Sequence, residues 1–479
     1  MLRDRYDPMD LFALVPALGM ELDPLLMRLD RLLDDDALFQ AVKANLIKRH
    51  PRTATDGRPS TPVEVIMRTL IIKHLYDWSY EQTEQWVGDS LVLRQFCRIY
   101  AERVPDDTTL IRWANLIRPA TLHQLLDHIT NQARQLKVTR GRKLRIDGTV
   151  VATNIHYPVD STLLGDGVRV LSRTIRRAKA LSGQSGARAK SVFRDRTRSV
   201  GRVMNDLIAA ARRRGVDAQQ QLHDGYRRLL DLTEQVVAQA VQVQQILQQQ
   251  TDATAQRLAQ TLQTFIPRVE QVIAQTRRRV IHGVSVPAGE KIVSLFEPHT
   301  AIIRKGKPGK STEFGRCVWL DEVDGGLITR YAVLVGNPDD ATQLLPSLDH
   351  HLERFGHPPD LLAGDGKLAT PTNERLAQQR GVRHVVLPRP GRKSPERVVH
   401  ERQRWFRQGR NWRAGIEGRI SGLKRGQGLE RCRYRGQDGM ERWVGLGLIA
   451  HDLRTIARHQ LDRAARQAQQ ASPKIAQAA

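Results

Sequence analysis

The chain has few cysteines, no long apolar run and a clear deficit of acidic residues. Its 479 residues include only three cysteines, Cys97, Cys317 and Cys432. That is too few for a disulfide scaffold, the spacing is wrong for a zinc knuckle, and the count fits a reducing compartment. No apolar stretch approaches the roughly 20 residues that cross a bilayer, and no secretory signal is evident at the N-terminus. We therefore expect neither a membrane protein nor a secreted one.

The charge imbalance is the strongest compositional signal. Lys and Arg total 76 against 51 Asp and Glu, which gives a formal net charge of +25. A charge of this size favours a polyanionic partner. Ribosomal proteins, membrane-surface proteins and well-solvated proteins can be equally basic, so charge makes nucleic acid the leading candidate and no more.

Residues 1–140 are predicted to be helical. Short helices separated by tight turns follow one another between residues 61 and 117, with an N-terminal signal at Pro105, Asp106 and Asp107. This pattern suits a helix-turn-helix reader of DNA. An ordinary all-α packing domain would give the same pattern, and both interpretations stay open.

The chain then changes from helix to strand and back. Residues 144–151 form a β-branched run with a carboxylate in its middle, which predicts a strand. Residues 172–281 are rich in Ala, Gln, Arg and Leu, with apolar residues near helical spacing, and predict long helices in a coiled hairpin.

Strands and helices alternate again in the last third of the chain. We predict strands at residues 291–295, 299–304, 314–320, 327–335, 360–363 and 382–387, and helices at residues 337–355, 373–380, 410–424 and 440–459. With the helical block set aside, this pattern predicts an α/β sheet that is interrupted by an insertion after its first strand.

Two aspartates lie at comparable places in the predicted sheet. Asp147 is followed by Gly148 on the first strand, and Asp365 lies between Gly364 and Gly366 at the end of a later strand. Ligands of open α/β sheets gather where strands end, and glycine permits close approach. A lone Asp-Gly pair is nevertheless more often a turn.

Glu417 belongs to a stripe of charges on one helix. Arg413, Glu417 and Lys424 are spaced by four and seven residues, which places them within roughly 40° of one another around a helix. A carboxylate between two cations suits a metal and phosphate site. The alternative is a surface ion pair of a few tenths of a kcal/mol, but three nearby glycines, at positions 415, 418 and 422, would be a poor surface design because each costs about 1 kcal/mol of helix stability.

Three carboxylates without a recognisable nucleophile triad point to metal-dependent phosphoryl chemistry. Two divalent cations can stabilise the attacking and leaving oxygens of an in-line displacement. Because Mg²⁺ prefers hard oxygen ligands, we expect two Mg²⁺ ions held by Asp147, Asp365 and Glu417, with Mn²⁺ able to substitute.

Several segments resemble DDE-class insertion-sequence transposases, specifically the insertion-sequence-five-like group with an RNase H-like catalytic core. Arg413, Glu417 and Lys424 match the last three residues of the group's Y-R-E-K signature. The signature's Tyr falls at Arg410, which is a departure. The other similar segments are residues 62–99, 105–117, 146–171, 313–320, 337–348 and 361–367.

This resemblance implies a fold, an activity and partners. The fold would be an α/β RNase H-like core, a mixed sheet with flanking helices, plus an all-α N-terminal domain and a long helical insertion. The protein would bind the terminal inverted repeats of its element on double-stranded DNA, cut them and join them to target DNA, as a homodimer on DNA in the bacterial cytoplasm, associated with the nucleoid. Asp147, Asp365 and Glu417 would be catalytic, and Arg413 and Lys424 would hold phosphates.

The segment that leads into the predicted helix at 410–424 is basic and aromatic. Residues 389–413 carry nine Lys or Arg together with two Trp and one Phe, which suits a DNA groove. From this segment we expect DNA contacts at Arg392, Lys393, Arg410 and Trp412, although the aromatic rings could equally lie in the core. Non-catalytic DNA binding, or a metal-dependent nuclease or resolvase on the same core, remain the alternatives.

The predicted domains follow from these patterns. Residues 1–140 form the helical end-binding domain, 141–171 and 282–460 the catalytic domain, 172–281 the insertion and 461–479 a disordered tail.

Overall fold

A computed structural model describes residues 1–11, 23–53, 55–182, 194–304 and 312–471. The chain divides into two compact units, one made of residues 1–154 and 316–479 and the other of residues 155–315. Within the described ranges, no helix combines the length and apolarity needed to span a membrane. The observed class is a mixed sheet with many helices, as the sequence predicted.

The first unit begins with short helices whose starts are fixed by polar side chains. The Asp23 carboxylate accepts hydrogen bonds from the amides of Leu25 and Leu26, and Ser79 and Gln82 form a reciprocal capping box, which satisfies amides that a helix start leaves unpaired. The helices are α1 (Pro24–Leu33), α2 (Asp36–Leu46), α3 (Val63–Leu75), α4 (Tyr80–Asp89), α5 (Leu91–Phe96), α6 (Asp107–Ala114) and α7 (Pro119–Gln135).

Helix α3 is the centre of this helical cluster. Every one of its residues is buried, including Arg68, whose guanidinium contacts Asp30 of α1 and Asp34, the residue that caps the end of α1, at 2.7 Å each. A buried guanidinium must be paired to be tolerated. The two aspartates therefore fix α1 against α3.

The sheet of the first unit is built around β1 (Lys143–Ala152). In the first unit the hydrogen-bonded path runs β3-β1-β5-β6, with β4 pairing with β3 off this path. Strands β3 and β4 form an antiparallel hairpin, and β5 and β6 run parallel to β1 and to each other. This arrangement is compatible with an RNase H-like core. The other strands of this sheet are β3 (Glu313–Val323), β4 (Leu327–Val333), β5 (Leu361–Ala363) and β6 (His384–Val386). Strand β2 (Ala301–Ile303), in the second unit, pairs antiparallel with residues 313–315 of β3, which lie in the same unit.

The last two helices are longer than the sequence predicted, whereas the helix predicted at 337–355 begins only at Leu344, after a short 3-10 turn. The final helix extends to Ala471, so residues 461–471 are helical where we expected a disordered tail, because their Ala and Gln residues are good helix formers; residues 472–479 lie outside the described ranges. These helices, in chain order after the insertion helices α8–α11, are α12 (Leu344–Phe355), α13 (Pro371–Gln379), α14 (Pro395–Arg402), α15 (Arg404–Gly426) and α16 (Gly436–Ala471).

The second unit is a bundle with its own apolar core. Its helices are α8 (Asp160–Ser182), α9 (Thr197–Ala211), α10 (Val216–Gln248) and α11 (Ala253–Thr276), which is more than the predicted hairpin. The predicted strand at 291–295 is not formed. The amide and carbonyl of Ile292 instead bond to the side chain of Gln275 at 2.9 and 3.0 Å, which satisfies the backbone without a strand partner.

A buried lysine connects the N-terminal helices to α16 inside the first unit. The Lys73 ammonium lies 4.7 Å from the ring centre of Tyr80, 5.2 Å from that of Tyr434 and 4.9 Å from that of Trp443. The aromatic faces offset part of the cost of burial. Desolvation nevertheless lowers the pKa of Lys73 to about 7.

The lowered pKa of Lys73 predicts that the stability of the fold depends on pH. Because its folded pKa lies below its unfolded value of about 10.4, the unfolded chain binds the extra proton between pH 7 and pH 10. The free energy of unfolding should therefore rise with pH over this window, by about 1.4 kcal/mol per unit relative to Lys73→Met, and the difference should be constant below pH 7.

Urea unfolding of both proteins from pH 6 to pH 10 measures this difference. Lys48→Met, at an exposed position, is the matched control and should give the same pH slope as the unaltered chain. A constant difference between the unaltered chain and Lys73→Met across the whole range would contradict the prediction.

Candidate functional site

Asp147 lies on β1, and Asp365 follows the end of the neighbouring parallel strand β5 by two residues. Lys143 to Arg145 of β1 pair in register with Leu361 to Ala363 of β5, and continuing that register by two residues places Asp147 level with Asp365. A methyl group added at Gly364 would lie 3.5 Å from the Ile146 side chain, which agrees with this alignment. Adjacent strands are about 4.8 Å apart. The two carboxylates therefore start from neighbouring backbone positions.

Helix α15 packs across this part of the sheet through a buried ion cluster. Glu322 of β3 is fully buried and accepts bonds from Arg145 of β1 at 2.6 and 2.9 Å. Arg419 of α15 contacts the same carboxylate at 3.2 Å. Arg145 also donates to the carbonyl of Trp412 and lies over its ring. We call Arg145, Glu322 and Arg419 the docking cluster.

The docking cluster determines which face of α15 meets Asp147. Arg145 and Asp147 are two residues apart on β1, so their side chains leave the same face of the sheet, the face against which α15 lies. Arg413 of α15 contacts Asp147 at 3.2 Å with one guanidinium nitrogen and Glu417 at 3.2 Å with the other. The carboxylates of Asp147 and Glu417 are thus separated by the width of one guanidinium group.

A fourth carboxylate, Asp340, lies beside the predicted site and was missed from the sequence. Its Oδ1 would be 3.7 Å from a methyl group added at Gly148, and its Oδ2 is 3.4 Å from Nζ of Lys367, two residues after Asp365. Asp340 therefore lies between the segments that carry the two predicted aspartates. The signal available in the sequence was the Asp339-Asp340 pair soon after a strand.

The donor set suits a hard divalent ion, although the side chains are not gathered as ligands. Carboxylate oxygens are the ligands that Mg²⁺ prefers. Among the described residues, no group of three or more His, Cys, Asp or Glu side chains is placed to hold a metal ion. The Arg413 guanidinium instead provides the positive charge between Asp147 and Glu417, and the Glu417 side chain is 66% exposed. For Asp147 and Glu417 to hold a metal ion together, Arg413 would have to release at least one of these two carboxylates.

The predicted phosphate contacts lie partly on the same stripe. Arg410 is exposed and, three residues before Arg413, falls within roughly 60° of it around α15. Lys424 is half-buried, two turns beyond Glu417. These positions keep the predicted charged stripe on one helix face.

The other residues predicted to contact DNA differ in exposure and in their partners. Arg392 is exposed, but Lys393 is paired with the buried Glu401. Trp412 packs beside a small apolar cluster that contains Phe406, and its ring is covered by Arg145 at 4.9 Å. The aromatic rings therefore belong largely to the packing between α15 and the sheet.

The glycines of α15 fall into two groups. A methyl group at Gly409 would lie 2.6 Å from the Val386 side chain, and a methyl group at Gly415 would lie 2.5 Å from the Arg145 side chain. Close packing therefore requires these two glycines. A methyl group at Gly418 or Gly422 would meet nothing within 4 Å. Packing does not explain the second group.

Comparison with protein families matches two parts of the chain. Residues 19–116 match a transposase domain, DUF772, and residues 375–457 match a transposase DDE domain. The second match includes the whole of α15 and therefore Arg413, Glu417 and Lys424. The two matches support an insertion-sequence DDE transposase. The resemblance to that class is confirmed.

The two matched segments do not include every residue of the predicted site. Asp147, Asp340 and Asp365 lie outside both matched segments. Only the structure relates them to the matched helix: Arg413 connects Asp147 to Glu417, and the register of β1 with β5 relates Asp365 to Asp147. The matches do not assign the transposase to the insertion-sequence-five-like group. Searches of curated proteins and of solved structures gave no match.

Because of the docking cluster, we expect two glutamates to differ greatly in how much their replacement lowers the free energy of unfolding. Glu322→Gln leaves two arginines facing a neutral group in a buried position, so the free energy of unfolding should fall by about 3 kcal/mol. Glu417→Gln removes only an exposed i,i+4 pair and should change it by less than about 1 kcal/mol.

Chemical denaturation of the two variants and the unaltered chain makes this comparison. Equal losses in both variants, or a negligible loss in Glu322→Gln, would show that α15 does not depend on the buried cluster.

Proposed function

We propose that this transposase binds the terminal inverted repeats of its element and catalyses metal-dependent strand cleavage and strand transfer at Asp147, Asp365 and Glu417. The observation that carries the proposal is the in-register pairing of β1 with β5, because it aligns two aspartates that are far apart in the sequence. The contacts of Arg413 then connect Asp147 to Glu417 on the matched helix.

The roles of the side chains follow from their positions. Asp147 extends from β1 and Asp365 from the turn directly after β5, so they would hold Mg²⁺ from neighbouring backbone positions, and Glu417 would complete the ligand set from α15. Bound metal ions would stabilise charge on the attacking and leaving oxygens of the phosphodiester. Arg413 would exchange its carboxylate partners for a DNA phosphate, since a guanidinium binds either group with two donors. Arg410 and Lys424, on the same stripe, would contact neighbouring phosphates.

End recognition is assigned to the N-terminal helices. They contain the matched transposase domain of residues 19–116, and α4 and α6 each present an exposed face beside the buried α3. Such helices can enter a DNA groove while α3 supports them. Because transposition holds two ends together, we propose a homodimer on DNA.

The catalytic proposal predicts the loss of DNA nicking in three variants. Asp147→Asn, Asp365→Asn and Glu417→Gln each remove a metal-binding charge with little change in shape, so nicking of DNA that carries the element's ends should fall at least about a hundredfold in Mg²⁺ or Mn²⁺. Gel analysis of the nicked product measures the rate. Asp360→Asn is the matched control, because Asp360 is exposed at the start of β5 and pairs with Arg142.

The outcomes separate the candidate functions. Unchanged nicking in Asp147→Asn or Asp365→Asn would refute the proposed site. Tight binding of the ends by the unaltered chain, without cleavage in either metal, would indicate a non-catalytic DNA-binding protein. Cleavage of branched DNA without preference for the ends would indicate a nuclease or resolvase.

A further inference from the structure

The face of α15 opposite the charged stripe forms a second basic surface. At roughly 100° per residue, Gly418 and Gly422 lie about 140° and 180° around the helix from Arg413. They line a groove of about 410 Å³ between α15 and α16, and Arg419, Arg454 and Arg458 also line it. We call this surface the glycine groove. It lies wholly within the first unit.

The positive charge of the glycine groove is only partly neutralised. Arg419 is paired with Glu322. Arg454 donates to the carbonyl of Leu75 at 2.8 Å, and within the described ranges no carboxylate forms an ion pair with Arg454 or Arg458. Burial, and then the neighbouring charge of Arg458, lowers the pKa of the Arg454 guanidinium. Cations that repel one another in a groove leave it suited to an anion.

The adjacent His451 adds no charge of its own. Burial and the charges of Arg419, Arg454 and Arg458 lower the pKa of His451 to about 3, so the ring is neutral at physiological pH. Arg419, Arg454 and Arg458 line the same groove as His451. The groove therefore holds a concentrated positive potential near neutral pH.

The floor of the groove gives a ligand access to helix backbone. Glycine inside a helix is unfavourable, and the open space at Gly418 and Gly422 shows that packing does not require it there. A floor without side chains lets an extended polymer backbone approach closely. A compact ion would not need two such positions one turn apart.

An aromatic surface borders the arginines. Arg454 bonds to the carbonyl of Leu75, next to Tyr76, whose side chain is 44% exposed. The Tyr76 ring stacks on Trp78 with a centroid distance of 4.7 Å, and Trp78 in turn stacks near the exposed Trp86. Basic residues beside exposed aromatic rings are typical of surfaces that follow a nucleic-acid strand.

We propose that the glycine groove binds the phosphodiester backbone of DNA, as a second contact on the side of α15 that faces away from the carboxylates. Arg454 and Arg458 contact phosphates, and the bare helix surface at Gly418 and Gly422 lets the strand lie close. Helix α15 then lies between two DNA contacts. This proposal shares DNA as the ligand with the proposed function, but it does not depend on cleavage.

DNA binding without metal tests the groove separately from catalysis. Anisotropy of a fluorescein-labelled random-sequence duplex is measured in EDTA from 50 to 200 mM salt, with a labelled single strand as a second probe. In the Arg454→Ala/Arg458→Ala variant, Kd should rise and the slope of log Kd against log salt should fall by about 1 to 2, since each lost phosphate contact removes about 0.9. Arg142→Ala, at an exposed position paired with Asp360, should leave the slope unchanged.

A second variant excludes a folding defect as the cause. Gly418→Ala/Gly422→Ala should raise Tm, because alanine is the better helix former, and should still weaken DNA binding because the methyl groups occupy the floor. Unchanged Kd and salt slope in both double variants would overturn the proposal, as would an equal loss in Arg142→Ala, which would indicate diffuse charge attraction. Normal binding in Asp147→Asn with absent nicking in the unaltered chain would overturn the catalytic proposal alone.

Discussion

The buried contact of Glu322 with Arg145 and Arg419 is the constraint on which the rest of the site depends. It joins β3, β1 and α15 at the fully buried carboxylate of Glu322. Removing one member of such a cluster leaves uncompensated charge in a buried position, so the register of α15 on the sheet is strongly specified. Because Asp147 lies two residues beyond Arg145, the same contact brings Arg413 and Glu417 to Asp147. The position of the candidate site is therefore a consequence of packing in the core.

Helix α15 combines two surfaces of different character. One face carries Arg410, Arg413, Glu417 and Lys424 toward or beside the strand aspartates, and the opposite face carries the glycine groove. In the metal-free arrangement, the Arg413 guanidinium reduces the repulsion between Asp147 and Glu417. Such an arrangement makes the charge balance of the site depend on what is bound, since a metal ion or a DNA phosphate can each replace one partner of the arginine.

Sequence reasoning predicted the parts of the site that follow local rules. The Asp147-Gly148 step within a β-branched run, Asp365 at a strand end, and the helical spacing of Arg413 and Glu417 are all local patterns, and the structure brings the first and last of these into contact through Arg413. Glu322, Arg145 and Asp340 could not be selected, because a charge that is paired in the core looks the same in a sequence as a charge on the surface. The strand predicted at 291–295 failed for a related reason: Gln275, distant in sequence, satisfies the backbone of Ile292. The helix past residue 460 was missed because composition alone was read as disorder.

The most direct test of the central claim is a crystal structure of the transposase soaked with Mn²⁺, with the ions located by anomalous scattering. The account predicts manganese peaks in contact with carboxylate oxygens of Asp147, Asp365 and Glu417, with Arg413 displaced from at least one of its two carboxylate partners. Peaks confined to other residues, with Arg413 still lying between Asp147 and Glu417, would contradict it.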